Sequence, residues 1–417
     1  MNVAVIGLGY IGLPTAALIA SKGIKVLGID VNEDVVNTIN RGKIHIIEPE
    51  IDVLVKSAVQ NGNLRATATP DKADVFILAV PTPLQSNNEP DLSYIKSAAE
   101  AIAPFLEKGN LVILESTSPV GTTEKLIEWM RKESNNLSYP ELGVKDTFDV
   151  FIAYCPERVL PGNVVSELVE NDRIIGGMTT HCSEKAHDFY KKFINSECLI
   201  TDSRTAELSK LVENSFRDVN IAFANELSLI CDTLNLNVWE LINLANHHPR
   251  VNILQPGPGV GGHCIAVDPW FIVDSTPEET RLIKMARIVN DDKPKFVINK
   301  INQAISKSSH NVSSLSIACL GLSFKPDIDD LRESPALEIA LQVSKMGFKN
   351  NYIVEPNIIS LPIEFDEKFS ELVDLEKALA LSDIVLLLVD HALFKNTNLS
   401  LLSGKKIIDT RGAWVGK

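Results

Sequence analysis

The chain has 417 residues, 45% of them hydrophobic and 23% charged, a balance that suits a globular protein with more than one core and excludes collagen-like and disordered classes. Its formal net charge of −14, from 54 acidic against 40 basic residues, excludes a general binder of nucleic acid or of anionic membrane, since each needs a basic face. The cysteines at 155, 182, 198, 231, 264 and 319 show no CxxC spacing, and no apolar run approaches the ~20 residues of a bilayer span, so a disulfide framework, a structural zinc site and a transmembrane helix are not expected.

No basic region precedes the apolar start Met1–Gly7, so no signal peptide is read and a cytoplasmic protein is expected. The first half alternates short apolar runs with helical patterns: Asn2–Ile6, Lys25–Ile29, Asp74–Val80, Leu111–Glu115, Asp149–Tyr154 and Cys198–Thr201. Near-continuous apolar runs of this length suit strands buried on both faces, which predicts a parallel sheet covered by helices over residues 1–200. From Ser203 to Leu244 the strand signal stops and a helical period takes over. Glu207, Lys210, Asn214, Arg217, Asn225 and Ser228 fall within an arc of about 80° at 100° per residue. Leu208, Leu211, Val212, Phe216, Val219, Phe223, Leu227 and Ile230 point elsewhere. The pattern predicts a buried helix that turns one polar stripe toward a cleft, against the plainer reading of a solvated helix face. Residues 290–295, charged and interrupted by Pro294, read as a linker. The last third returns to alternation, with strands at Leu315–Leu320, Tyr352–Val354, Ile384–Val389 and Lys406–Asp409 and a helix over Ser334–Met346 closed by Gly347.

Gly7-Leu8-Gly9-Tyr10-Ile11-Gly12 is GxGxxG set between a strand and an apolar helix, with Asp30 ending the next strand. Glycines there let the backbone turn tightly and approach a pyrophosphate at the helix N-terminus, and the Asp30 carboxylate suits ribose hydroxyls while repelling a 2′-phosphate, which favours NAD. The fold class that follows is α/β, with two Rossmann-like doubly wound domains joined by a central helical segment. Thr82 and Thr117 sit at strand ends, where ligands of open parallel sheets bind, although each alone also suits a turn with a capping hydroxyl. Residues 255–269 hold four glycines within eight residues and carry Cys264 with Asp268 four positions on. Such a loop brings backbone close to a ligand, and a thiolate in it can attack an aldehyde. Cys182, Cys198, Cys231 and Cys319 read as small buried hydrophobes. His263, Cys264, His247 and His248 do not form a metal-ligand array, so no metal is expected and the histidines read as hydrogen-bond donors. Arg158, Lys210, Arg217, Arg250, Lys325, Arg332 and Arg411 stand beside turns or strand ends, where they suit phosphates as well as solvent.

Gly7-x-Gly-Tyr-Ile-Gly, Ser116-Thr117-x-Pro-x-Gly-Thr, Pro156-Glu157-Arg158, Glu207-x-x-Lys210-x-x-x-Asn214, Gly261-Gly262-x-Cys264-x-x-x-Asp268 and Gly321-Leu322-x-Phe324-Lys325 occur in one order along the chain. Together they resemble the UDP-glucose/GDP-mannose dehydrogenase family over essentially its whole length. The resemblance implies a four-electron oxidation of a sugar C6 alcohol to a carboxylate with two NAD per turnover. Pro161 and the pair Ala266-Val267 depart from the glucose branch, and the runs 156–162, 214–220 and 248–252 are similar to the branch that acts on UDP-N-acetyl-D-mannosamine. A UDP-amino sugar substrate is therefore implied, with UDP-N-acetylglucosamine or its galacto epimer as the alternative.

By the same resemblance Cys264 is the nucleophile, forming a thiohemiacetal and then a thioester. Lys210 with Asp268 takes the alcohol proton, Lys210 and Asn214 stabilise the oxyanion, and Glu157, Thr117 and Asp268 are candidates to place or activate the hydrolytic water. Gly7, Gly9, Tyr10, Ile11, Gly12, Asp30, Thr82 and Thr117 are implied NAD contacts, with Arg332 reaching NAD across a subunit boundary. Arg158, Val159, Lys210, Asn214, Arg217, His248, Arg250, Gly261, Phe324, Lys325 and Arg411 are implied substrate contacts. The implied organisation is an NAD-binding domain over 1–200, a central dimerisation and catalytic segment over 201–295 and a UDP-sugar-binding domain over 296–417, in a homodimer. A non-catalytic nucleotide-binding regulator is the alternative of another class, but it would need neither Cys264 nor Lys210 and Asp268. A two-electron hydroxyacid dehydrogenase would share the first domain but not the Cys264 loop.

Overall fold

The computed structural model describes residues 1–46, 48, 50–133, 136–141, 147–159, 164–262 and 264–414. His263 and Pro161 therefore lie outside the described residues. The chain forms two compact units, Met1–Glu213 with Trp270–Pro277, and Asn214–Pro269 with Glu278–Lys417.

The first unit is built on eight strands: β1 Asn2–Ile6, β2 Lys25–Ile29, β3 Leu64–Thr67, β4 Val75–Leu78, β5 Leu111–Leu114, β6 Phe151–Tyr154, β7 Arg173–Gly177 and β8 Cys198–Asp202. They lie in the order β3-β2-β1-β4-β5-β6-β7-β8. The order reverses between β1 and β4, the switch point at which open α/β sheets bind ligands. Alternation within each strand accounts for both faces. Val3, Val5, Val75, Ile77, Leu111 and Ile113 enter one core, and Ala4, Ile6, Phe76, Leu78, Val112 and Leu114 enter the other. Each of these side chains larger than alanine contributes on the order of 1.5–3 kcal/mol.

The second unit repeats the plan with β9 Ser316–Leu320, β10 Asn350–Val354, β11 Ser370–Leu372, β12 Ile384–Leu387 and β13 Lys406–Asp409, in the order β11-β10-β9-β12-β13 and parallel throughout. Ser334 caps the helix Pro335–Ser344 by accepting from the Leu337 amide, with Pro335 in its first turn. Gly347 beyond its end has φ +81°. Among the described residues no helix is long and apolar enough to cross a membrane.

Four sequence expectations need correction. β7 pairs antiparallel to β6, through Ala153↔Gly177 and Tyr154↔Gly176, so the first sheet is mixed. β8 is an edge strand with Leu199 and Ile200 exposed, so it lacks the second cover that its apolar run suggested. Residues 290–295 are no linker. They lie inside the helix Arg281–Ser306, which continues through Pro294 because Ala286, Arg287, Asn290, Lys293, Pro294, Val297 and Ile301 are all buried. Packing of that face outweighs the ~3 kcal/mol that an interior proline costs.

The fourth concerns the helical run. It is two helices, Ser203–Leu234 and Val238–Asn246, separated where Asn235 takes φ +55° and Asn237 caps the second. On the first, the apolar side chains largely face out: Leu208, Val212, Phe216, Phe223 and Ile230 are exposed, Phe216 by 68%, and only Leu211 of the expected set is buried. Glu207, Asn214, Asp218 and Asn225 are buried instead. Within the chain this helix is held by these polar residues and by a strip of mostly small apolar ones, Ala206, Leu211, Ala222, Ala224 and Cys231.

Candidate active site

In the first unit the turn after β1 is shaped by Gly7, whose φ is +88° and whose Cβ would come 2.6 Å from the Ala79 carbonyl oxygen. A Cβ on Gly12 would overlap the Gly7 carbonyl oxygen, whereas one on Gly9 would meet nothing. Two of the three glycines thus serve close backbone packing, and the third leaves open space before the helix Gly12–Ser21. Asp30 accepts the Leu8 amide at 3.0 Å and the Asn32 amide at 2.9 Å, one bond on each carboxylate oxygen, which fixes the group with lone pairs to spare. Open space above Gly9 and a fixed acid at the end of β2 fit a dinucleotide, with Gly7, Gly9, Tyr10, Ile11, Gly12 and Asp30 the residues that would hold it. Thr82 Oγ1 donates to the Thr117 carbonyl at 2.8 Å, and Ser116 Oγ donates to the Val80 carbonyl at 2.8 Å, so the ends of β4 and β5 are tied together.

Beneath these ends is a buried ionic cluster that the sequence reading missed. Arg173 donates to Glu157 at 2.7 Å and lies 3.5 Å from Glu115, and the Tyr190 hydroxyl donates to Glu115 at 2.6 Å. Burial pushes the Glu115 carboxyl up to about 7, with Glu157 adding to the rise and Arg173 and Tyr190 opposing it. Glu157 also accepts the Arg158 amide, so its carboxylate is held from two sides. Arg158 pairs with Glu213 at 2.7 Å, and Val159 is half-buried. Glu207 accepts the Gly121 amide at 2.6 Å and both the amide and hydroxyl of Thr123, so it caps the helix Thr122–Glu133. Lys210, one turn further on, is half-buried.

In the second unit Asn214 donates to Asp268 at 2.5 Å, both side chains being buried, and the Asp268 amide donates to the Cys264 carbonyl at 2.9 Å. Cys264 is exposed, whereas Cys155, Cys182, Cys231 and Cys319 are buried and Cys198 lies between. The loop that carries Cys264 is anchored by a chain of buried amides. Gly257 N–H donates to Asn225 at 2.9 Å, Asn225 to Asn290 at 2.8 Å and Asn290 to Asp218 at 2.8 Å, and Asp218 accepts from Arg287 at 2.6 Å. Gly261 and Gly262 press on Phe324: a Cβ on the first would lie 3.1 Å from Phe324 Cβ, and one on the second, where φ is +85°, 3.0 Å from the ring. A Cβ on Gly257 would come 2.6 Å from Arg411 Nη1, and Arg411 pairs with Asp390 at 3.1 Å. Burial works against the Asp390 charge, but Arg411 and Lys395 hold its carboxyl below the usual range. Lys325, Arg217, His248 and Arg250 are exposed, the Arg250 amide donating to His248 Nδ1 at 3.3 Å. Arg332 is exposed and forks onto Asp330.

The structure thus brings together Cys264, Asp268 and Asn214, and separately Gly261 with Phe324. It joins the Gly7 turn to Asp30, and Thr82 to Thr117. Asp218, Asn290 and Arg287 carry no local signal, because they meet across helices about 70 residues apart in the chain. Glu355 was findable, since it follows β10 as Asp30 follows β2.

A doubled nucleotide-binding fold with an exposed cysteine in a glycine loop defines a dehydrogenase that handles two nucleotides. Residues 1–194 match the NAD binding domain of the UDP-glucose/GDP-mannose dehydrogenase family, residues 204–292 its central domain and residues 318–415 its UDP binding domain. The chain belongs to this family, and its cofactor is NAD. It is 56% identical over 416 residues to the NDP-N-acetyl-D-galactosaminuronic acid dehydrogenase of Ralstonia nicotianae, covering 100% of this chain and 97% of that one. It is also 56% identical over 417 residues to the UDP-N-acetyl-D-mannosamine dehydrogenase of Escherichia coli, covering 99% of each. Among solved structures, the UDP-D-ManNAc dehydrogenase of Pyrococcus horikoshii superposes with a TM-score of 0.87 at 38% identity, over 100% of this chain and 97% of that one.

Two measurements check this geometry. Gly9→Ala is expected to leave the melting temperature unchanged while raising the KM for NAD about tenfold or more, whereas Gly12→Ala, which must move backbone, is expected to lower the melting temperature as well. The raised Glu115 carboxyl favours the proton in the folded state, so its contribution to stability is present below the ordinary carboxyl range and lost as pH rises toward about 7. Glu115→Gln is expected to melt closer to, or above, the parent at pH ~8 and relatively lower at pH ~5; parallel pH curves would refute the assignment.

Proposed function

We propose that the chain oxidises the C6 alcohol of UDP-N-acetyl-D-mannosamine to the carboxylate of UDP-N-acetyl-D-mannosaminuronate. The observation that carries this reading is the exposed Cys264 in a glycine loop, one helical turn before a buried Asp268 that Asn214 holds at 2.5 Å. In this reading Lys210, with Asp268 through a water, removes the alcohol proton. NAD, when bound, accepts one hydride from C6 at each of the two oxidations. The Cys264 thiolate adds to the aldehyde carbon, and Lys210 and Asn214 donate to the oxyanion that results. After the second oxidation water adds to the thioester carbon, its proton passes to a base among Glu157, Asp268 or a group placed by Thr117, and the C–S bond breaks to return the thiolate. The sum is one alcohol, one water and two NAD converted to one carboxylate, two NADH and three protons.

Arg158, Val159, Arg217, His248, Arg250, Gly261, Phe324, Lys325 and Arg411 are proposed substrate contacts, and Arg332 a cofactor contact from a second subunit. The proposed division is NAD binding over 1–200, dimerisation and catalysis over 201–295, and UDP-sugar binding over 296–417, in a cytoplasmic homodimer. The dimer reading is supported by Leu208, Val212, Phe216, Phe223 and Ile230, which are exposed and lie within an arc of about 80° of one helix. A galacto-configured 2-acetamido sugar is the second reading, favoured by the equally similar Ralstonia relative.

NADH released per UDP-sugar across a panel of 2-acetamido epimers is expected to approach two with the manno epimer alone; the same ratio with the galacto epimer alone would transfer the assignment. Cys264→Ser is expected to abolish carboxylate formation while NAD binding persists, and full activity in that variant would overturn the mechanism. By light scattering, Phe216→Glu is expected to halve the mass of the particle, and an unchanged mass would refute the proposed interface.

A further inference from the structure

The acid at the end of the second strand differs in use between the two units. Asp30 keeps lone pairs for a ligand: among the described residues it is bonded only to the Leu8 and Asn32 amides. Its counterpart Glu355 is buried, and both its oxygens are engaged. Oε2 accepts the Leu322 amide at 2.7 Å, the Ser323 amide at 3.1 Å and His391 Nε2 at 3.1 Å, and Oε1 accepts from the Asn357 backbone at 3.2 Å and side chain at 3.3 Å. Burial alone would raise this carboxyl, but the His391 and Leu322 donors outweigh it and hold the group below its ordinary range. A carboxylate so occupied has nothing left for a ribose.

His391 is fully buried at the end of β12. Its Nδ1 accepts the Asp327 amide at 2.8 Å. An amide can only donate, so Nδ1 is unprotonated, the ring proton sits on Nε2, and Nε2 donates to Glu355. Asp327 Oδ1 in turn accepts the Ala392 amide at 3.0 Å, and Asp327 takes φ +61°, a backbone conformation costly for a non-glycine residue. The segment 321–327 is therefore clamped at its start by Glu355 and at its end by His391, with Ser323 Oγ bonded to the Lys325 carbonyl at 2.8 Å across the turn. Phe324, against which Gly261 and Gly262 pack, and Lys325 stand between the two clamps.

We propose that His391, in its Nε2–H tautomer and backed by Glu355, is a positioning residue that presents Phe324 and Lys325 to the uridine diphosphate, and that Glu355 has exchanged ribose recognition for this task. The inference rests on the reading that Phe324 and Lys325 touch the nucleotide sugar. Asparagine and glutamine separate the two ends of the ring. An Asn amide oxygen reaches the place of Nδ1 and can accept from Asp327, whereas a Gln amide reaches the place of Nε2 and cannot.

The experiment measures UDP binding by calorimetry, and KM for NAD and for the UDP-sugar, in full-length His391→Asn and His391→Gln. His391→Asn is expected to bind UDP within about twofold of the parent, and His391→Gln about tenfold more weakly, with KM for NAD unchanged in both. Equal losses in the two variants, or a shift in KM for NAD of the same size, would reduce His391 to a packing residue and overturn the proposal. Should His391→Gln fail to fold, Glu355→Gln serves in its place. It keeps an acceptor but loses the charge, and is expected to weaken UDP about threefold; undiminished affinity would overturn the proposal. UDP affinity does not depend on which epimer is oxidised, so a wrong sugar assignment leaves this result standing. A parent enzyme that fails to bind UDP would overturn both.

Discussion

Both units depend on one contact: a carboxylate at the carboxyl end of the second strand accepts the amide that follows the first strand's glycine turn. Asp30 does this for Leu8 and Glu355 for Leu322. An amide at such a turn has no ladder partner, and leaving it unsatisfied in a buried place costs about 1–3 kcal/mol. With the bond made, the turn is held at the switch point and the neighbouring backbone donors face the crevice. At this turn the two units differ in what the rest of the carboxylate does: Asp30 accepts one amide on each oxygen, whereas Glu355 is braced from within by His391 and Asn357 as well.

Polar networks, more than apolar packing, set the loop that carries Cys264. Gly257 hangs on Asn225, Asn290 and Asp218, and Asp218 is neutralised by Arg287, whose side chain is 2% exposed. Removing one member of such a pair leaves a buried charge, at a cost of about 3–5 kcal/mol, so the network has few alternative arrangements. A loop of glycines and prolines has little intrinsic preference for one shape. Hydrogen bonds directed at its backbone supply the specification that its own side chains lack.

The fold was legible where periodicity is strong. β1, β2 and β13 lie where their apolar runs place them, and the Gly7 turn with Asp30 is read from residue type and spacing alone. Illegible were β3, β7 and β11, short strands with charged or small residues in them, such as Arg65, Arg173 and Glu371. Arg173 is a strand residue because Glu115 and Glu157 neutralise it, and no window along the chain contains all three. The helix Ser203–Leu234 was read with its faces reversed for a related reason: a hydrophobic pattern states that an apolar face must be covered, not which molecule covers it. Of the site, Cys264, Asp268 and Asn214 were legible as a chemical set, while the braces behind them, Asp218, Asn290, Glu355 and His391, arise only from long-range contact.

Glu207 lies at the root of the long helix, and its carboxylate closes the first amides of the helix Thr122–Glu133, which begins five residues after Thr117. Lys210 sits one turn beyond Glu207 on the same rigid rod. The strand end that carries Thr117 and the seat of Lys210 therefore share a single mechanical hinge pin. To move one without the other, the bonds from Glu207 to the Gly121 and Thr123 amides would have to break.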